Sequence, residues 1–256
     1  PLDPDTKLSQ SLEKFTDPEA RAEYRKKVID QTTTRSLSLL NVRKERVVGA
    51  PPAGGAAVLA PRQPRPWDVE NVALSYSIAE RRHSDVRTES DYTRSFTAAA
   101  AYTFQTTPKN YTPFANVKAL DNPYLKFLQL VNFTPLPSRF AFRIDLDRSY
   151  NERFLQRVVN PGEVPSTFGI PGVYQKAFYI NRIYDLSWAL TKAFTIDYTA
   201  TNRGVIDEGV GRSVGTSDEA IRNRQIIHDN LLAGGRTTLF NQTVAATYRL
   251  PLDKFP

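Results

Sequence analysis

The sequence predicts an all-β fold: an antiparallel transmembrane β-barrel segment of about seven strands, with short helices in the N-terminal region and in the loops. Three observations carry that reading. Apolar and polar side chains alternate with period two over many separate stretches, the mark of strands with two unlike faces. The alternating runs reach about 9 or 10 residues, the length a tilted strand needs to cross a bilayer and longer than the ~5 to 6 of an average soluble strand. The connections alternate between long and short, the pattern of long extracellular loops opposite short periplasmic turns.

Composition narrows the function classes. The 256 residues carry a net charge of +7, but Lys and Arg are scattered among 27 acidic residues, which argues against a nucleic-acid partner. With no Cys there is no disulfide framework, no thiolate chemistry and no Cys-ligated zinc. No apolar run approaches the ~18 residues of a membrane-spanning helix, which leaves a barrel untouched. The chain contains no Met and starts on Pro1, so it is expected to be a segment of a longer protein.

The elements follow in order. Residues 1–32 form a helical segment leading into a partial barrel of residues 33–256. Within it the helix-forming stretch 9–30 is interrupted at Pro18, with Asp17 as N-cap and Pro18 at the first helical position of the second piece. RSLSLLNVRKERV (35–47) is a weak strand whose alternation slips at Leu39-Leu40, and APPAGGAAVLAPRQPRP (50–66) is a loop. Strands are then expected on Val72, Leu74, Tyr76 and Ile78; on Phe96, Ala98, Ala100, Tyr102 and Phe104; and on Phe140, Phe142, Ile144 and Leu146. Further strands are expected on Phe178, Ile180, Tyr184, Leu186, Trp188 and Leu190; on Phe194, Ile196, Tyr198 and Ala200; and on Phe240, Val244, Ala246, Tyr248 and Leu250. Arg182 and Ile183 break the alternation, which suggests a bulge, and Gln242 is a polar intruder.

The connections fix an orientation. Stretches 81–91, 151–173 and 204–234 read as extracellular loops and TKA (191–193) as a tight periplasmic turn. One aromatic girdle of Trp67, Tyr102, Phe104, Phe140, Trp188, Phe194 and Tyr248 then falls at the TKA end, and Phe96, Tyr150, Phe178 and Phe240 fall at the other. Residues 106–137 read as a periplasmic insertion, with a short helix started by Asp121-Asn122-Pro123 that displays Leu125, Leu128 and Val131.

NVRKERVVG (41–49), WDVENVALSYS (67–77), PFANVKALDNPYLK (113–126) and above all RTTLFNQTVAATYRLPLDKFP (236–256) resemble the barrel region of the SprA/Sov family. That family is the outer-membrane translocon of the type IX secretion system of Bacteroidetes, first associated with gliding motility. The resemblance covers the chain from about Asp3 to its end, apart from the Ala/Pro-rich insert at 50–66. It implies a slice of one very wide protein-conducting barrel that exports folded cargo through the cell outer membrane. It also implies partners: outer-membrane lipid, the remainder of the same barrel, a smaller barrel protein at a lateral opening, a plug protein, and cargo with a C-terminal secretion domain.

On this reading the apolar side chains face lipid and the alternate positions line a polar passage, with Arg139, Arg143, Asp145, Asp147, Asp185, Asp197 and Arg249 as lumen-lining residues. A mixed-sign lining suits passage of folded proteins, because a single-sign wall would hold oppositely charged cargo. No catalytic, cofactor-binding or metal site is expected. His83-Ser84-Asp85 has triad residue types but sits in a predicted loop, and His228 in the polar helix 217–231 lacks companion metal ligands. GVGRSVG (209–215) lacks dinucleotide spacing and reads as a flexible loop; Asp207, Glu208, Asp218 and Glu219 are too irregular for a calcium loop. The alternative function is a porin or plugged nutrient-transporter barrel.

Overall fold

The computed structural model describes residues 7–45, 65–117, 131–156 and 169–250. Seven antiparallel strands form one open sheet in chain order: β1 (Gln31–Arg43), β2 (Val72–Ser84), β3 (Thr88–Gln105), β4 (Arg139–Leu155), β5 (Val173–Ala189), β6 (Phe194–Val205) and β7 (Arg236–Tyr248). The strands run from 12 to 18 residues, so most exceed what a bilayer crossing requires. Edges β1 and β7 are not paired with each other, and every residue of both is exposed. Among the described residues three α-helices accompany the sheet: α1 (Leu8–Glu13), α2 (Pro18–Val28) and α3 (Asp218–Leu232). Among the described residues no helix is long and apolar enough to cross a membrane.

The N-terminal helices form as the sequence dictates. Pro18 cannot continue α1 but fits the first position of α2, and the Asp17 carboxylate accepts from the Glu19 and Ala20 amides. Arg25, Lys26 and Lys27 occupy the last turn, where positive charge opposes the helix dipole. The sheet begins at Gln31, slightly before the expected boundary.

Bulges keep the faces in phase. Leu39 pairs with Tyr76 and Val42 with Leu74, so β1 inserts one extra residue at the point where its alternation slips. Asn41 adopts φ 53° and donates its amide to the Ser75 hydroxyl. Asn is among the few side chains that tolerate this left-handed region, and the kink returns Val42 to the face of Leu37 and Leu39. Other shifts lie between Thr88 and Ser90 and between Arg203 and Gly204.

Two sequence expectations are corrected here. The stretch 81–91 is not a long loop: β2 runs to Ser84, β3 starts at Thr88, and the turn between them is pinned by the Asp85 carboxylate accepting from the Arg87 and Thr88 amides. Nor is there a bulge at Arg182/Ile183. Arg182 pairs in unbroken register with Ile144 and Asn202, so its side chain stays on the apolar face. At the other end, Thr191 accepts from the Ala193 and Phe194 amides, which closes TKA as the expected tight turn. Within the predicted insertion, Tyr111 and Phe133 form an isolated bridge and Thr134 donates its amide to the Leu190 carbonyl. The helix expected from Asp121, most of the 50–66 loop and the chain ends lie outside the described residues.

Candidate functional site

Residues directly opposite one another in an antiparallel ladder share a face, so the register assigns every side chain. One face carries Val42, Leu74, Ala100, Ile144, Arg182, Asn202 and Phe240 in a single cross-sheet row. The apolar residues of this face form a band that does not follow the rows. Its lower edge passes through Val42 in β1, Val72, Phe104, Phe140, Trp188 and Phe194 to Tyr248 in β7. Val42's row meets β7 at Phe240, so the edge has slid about eight residues over six strand steps. The upper edge is marked by the first polar side chain on each strand: Arg35, Glu80, Arg94, Arg148, Arg182, Asn202 and Gln242. It slides by the same amount, since Arg35's row meets β4 at Tyr150 and Gln242's row meets it at Phe142.

The predicted girdle lies on this slanted lower edge. Tyr102, Phe104, Phe140, Trp188, Phe194 and Tyr248 all occupy the apolar face at one end, with ring contacts between Tyr102 and Phe140 and between Phe194 and Tyr248. Trp188 donates its indole N–H to the Thr134 carbonyl and Tyr102 its hydroxyl to that of Pro66. Trp67 precedes β2, is 73% exposed and lies under the Arg65 guanidinium. Of the opposite girdle, Phe96 and the exposed Phe240 keep their place on the band face, but Tyr150 and Phe178 are buried by the chain itself, which corrects their assignment to lipid contact.

What buries them is the connection between β6 and β7, which folds back over the upper part of the same face as a cap. Helix α3 is capped by the Ser217 hydroxyl accepting from the Ala220 amide. Ile227 and Leu231 from the cap, and Ile144 and Leu146 from β4, pack on the buried cluster of Phe178, Ile180 and Ile206. Gly234 (φ 85°) and Gly235 (φ 72°) return the chain into β7. A Cβ on Gly235 would lie 3.0 Å from the Val205 carbonyl oxygen, so a side chain there meets both strain and backbone. Arg182 donates to the Gly234 carbonyl, which gives this cation on the apolar face an acceptor under the cap.

Charged side chains of the upper face find their partners in the cap. Arg148 holds Glu208 with two bonds of 2.7 and 2.8 Å, and Arg212 holds Glu152 with bonds of 3.0 and 2.7 Å. Both carboxylates are almost fully buried. Tyr150 donates to Glu152, Lys176 to the Gly209 carbonyl, and Asn223 to the Val210 and Arg212 carbonyls. The stretch 209–215, expected to be a flexible loop, is thus tied down, and one side of α3 packs on the sheet while the other stays exposed. Nearby, hydrogen bonds from the Arg236 guanidinium draw the Asp207 carboxyl below the usual carboxylate range.

The opposite face carries the predicted lumen residues. Arg139 pairs with Asp185 at 3.2 Å and Arg143 with Asp145 at 2.8 Å, while Ser187 donates to Asp197 at 2.6 Å. Asp147 lies opposite Thr97 and Tyr179, and Arg249 follows β7 with its amide donating to the Ala193 carbonyl. The rest of this face is dominated by Ser, Thr, Ala and Asn, with Ile183 as an apolar exception. His83 sits between Thr32 and Asp85, at 2.9 and 3.2 Å, and His228 is exposed beside Asp229. Among the described residues no group of His, Cys, Asp or Glu could hold a metal ion.

Sequence reasoning missed the cap contacts. Their signal was present in Arg148, Glu152 and Lys176, charged residues at band-face parity beyond Leu146 and Phe178. No protein-family model matches the chain, and no curated protein matches it.

Proposed function

We propose that this chain is an arc of the wall of a very large outer-membrane barrel that conducts folded proteins, in the manner of the type IX translocon it resembles. The observation that carries the membrane part is the slant of the apolar band. A band of constant height on strands tilted to the membrane normal must cross the ladder diagonally. A slide of roughly 1.3 residues per strand, at ~3.3 Å per residue and ~4.8 Å between strands, corresponds to a tilt of roughly 40°, within the ~35–45° of outer-membrane barrels. The band is about seven to nine residues long on most strands, roughly 20 Å tall at that tilt, near the ~25 Å apolar belt of such barrels. Leu37, Leu39, Leu74 and Val244 are each more than half exposed on it, an apolar surface that water would penalise and lipid would not.

The open edges supply the second part. A sheet edge in lipid leaves backbone groups unpaired at several kcal/mol each, so β1 and β7 need neighbours, which the rest of a larger barrel provides. The lining supports passive conduction: Arg139 pairs with Asp185 and Arg143 with Asp145, and a wall of mixed sign stays wet without retaining cargo of one charge. On this reading the chain resides in a Bacteroidetes-type outer membrane beside a smaller barrel protein and a plug, and acts on cargo bearing a C-terminal secretion domain.

The chain contains no Cys, so single-cysteine variants need no background removal. Ala99 and Ala100 are adjacent, alike and on opposite faces. In outer membranes, a membrane-impermeant maleimide should label Ala99→Cys through the passage and leave Ala100→Cys unmodified. Equal labelling of both overturns the reading.

A further inference from the structure

The cap borders an open cleft of about 470 Å³ above the upper edge of the band, lined by Arg82, Tyr92, Glu152, Arg212, Thr216 and Ser217 among others. We propose that it binds a phosphate monoester, the group carried by an anionic lipid headgroup or by a phosphorylated solute. The one carboxylate in the lining is already committed: Glu152 accepts from Nε and Nη2 of Arg212 and from the Tyr150 hydroxyl. Arg82 lies 5.1 Å over the Tyr92 ring, and among the described residues no carboxylate is within ion-pair distance of it. The lining therefore sets two guanidinium groups against one carboxylate, Arg212 bonded to Glu152 and Arg82 stacked on Tyr92 and acting on Glu152 through its charge alone; the excess positive charge with planar, forked donors suits a phosphate. The Ser217 oxygen accepts from the Ala220 amide, leaving its O–H proton to donate outward. Asp218 and Glu219 offset the dipole of α3, so the arginines carry the site.

Position argues for the lipid source. Arg82 lies four residues above Ile78, the last apolar band residue of β2, about 13 Å along the strand and roughly 10 Å in height at the proposed tilt. That is the zone of headgroup phosphates next to a hydrocarbon core. The lipid source rests on the membrane reading; the phosphate chemistry does not.

The test uses inorganic phosphate titrated into the full detergent-solubilised chain and followed by calorimetry. Binding should saturate, with Arg82→Gln raising Kd at least tenfold and Arg203→Gln, on the opposite face, leaving it unchanged. Absence of binding, or equal binding by Arg82→Gln, overturns the proposal. A readout independent of any variant's folding is phenylglyoxal modification of the wild-type chain, resolved by peptide mass spectrometry. Phosphate should protect Arg82; modification indifferent to phosphate overturns the site. In phosphatidylcholine nanodiscs doped with phosphatidate, co-purification of phosphatidate with wild type but not Arg82→Gln supports the lipid source. Phosphate binding without that enrichment overturns the lipid source and supports a soluble phosphate. A chain that binds phosphate yet fails to insert into bilayers overturns the barrel reading and leaves the site standing.

Discussion

The band face of the sheet consists of two regions built on the same strands. In the lower one, β4 presents Phe140, Phe142, Ile144 and Leu146; none is fully buried, Phe140 is exposed, and Ile144 and Leu146 border the apolar cluster under the cap. In the upper one, the same parity of β4 presents Arg148, Tyr150 and Glu152, and the chain covers them itself with α3 and the stretch before it. The difference teaches that alternation specifies a face but not its surroundings. Charged side chains at band parity are absent from the lower region of β4, and in its upper region Arg148 and Glu152 are each stabilised by a partner 60 residues away. One strand thus serves two environments, and the change occurs where Leu146 gives way to Arg148.

The sharpest way to break this comparison is to strand a charge under the cap. Arg148→Met keeps much of the stem but leaves Glu208 buried without its cation, which should cost about 3–5 kcal/mol in urea unfolding of the detergent-refolded chain. A loss below ~1 kcal/mol would mean that the cap is not docked in solution. Next in size is a charge placed in the band. Ala100→Arg should cost ~2–4 kcal/mol, and Ala99→Arg, one residue away on the other face, ~1 kcal/mol or less. Equal costs would remove the distinction between the faces. A smaller effect is expected at the cap's return: Gly235→Ala, at φ 72° against the Val205 carbonyl, should destabilise by about 1–3 kcal/mol and loosen α3 without touching the band.

The lower region was legible in the sequence and the upper one was not, for a physical reason. Seven strands, their antiparallel order, the TKA turn and the aromatic edge follow from period-two alternation, a local property that survives whatever the tertiary contacts are. The slip at Leu39-Leu40 was visible too, though only the register shows that a bulge resolves it. By contrast, 81–91 reads as a loop because it is polar and carries Arg81, Arg82 and Asp91, yet β2 and β3 pair with each other through these residues. The cap fails for the same reason: Arg212 with Glu152 and Arg148 with Glu208 are long-range pairs, and no periodicity encodes which charge meets which. Arg182 was read as a bulge because it breaks the apolar pattern, whereas it stays in register beneath the carbonyl of Gly234. Of the candidate lining, the sequence placed the residues on one face, and the structure adds that Arg139, Asp185, Arg143 and Asp145 occupy one another.

The smallest expected effect uses acid to separate the two regions. The band carries no titratable carboxyl at its parity, whereas the strand ends above it do, so a fall in pH should loosen the upper region and leave the band in place. The Asp85 carboxyl in the β2–β3 turn is the most direct probe. Burial raises its pKa, but the bonds it accepts from the Arg87 and Thr88 amides and from His83 outweigh burial and hold it below the usual range. A carboxyl depressed in the folded state stabilises fully above its unfolded pKa of about 3.9 and loses that contribution as pH falls through the lower folded value. Hydrogen exchange, corrected for intrinsic rates, should therefore show Arg87 and Thr88 losing protection between about pH 4 and pH 2 while Ala98 to Tyr102 keep theirs. In Asp85→Asn the turn should already be weakened at pH 7 and show less further change in acid. Loss of protection in the band over the same interval would mean that the two regions unfold as one unit, with the cap rather than the membrane holding the strands in place.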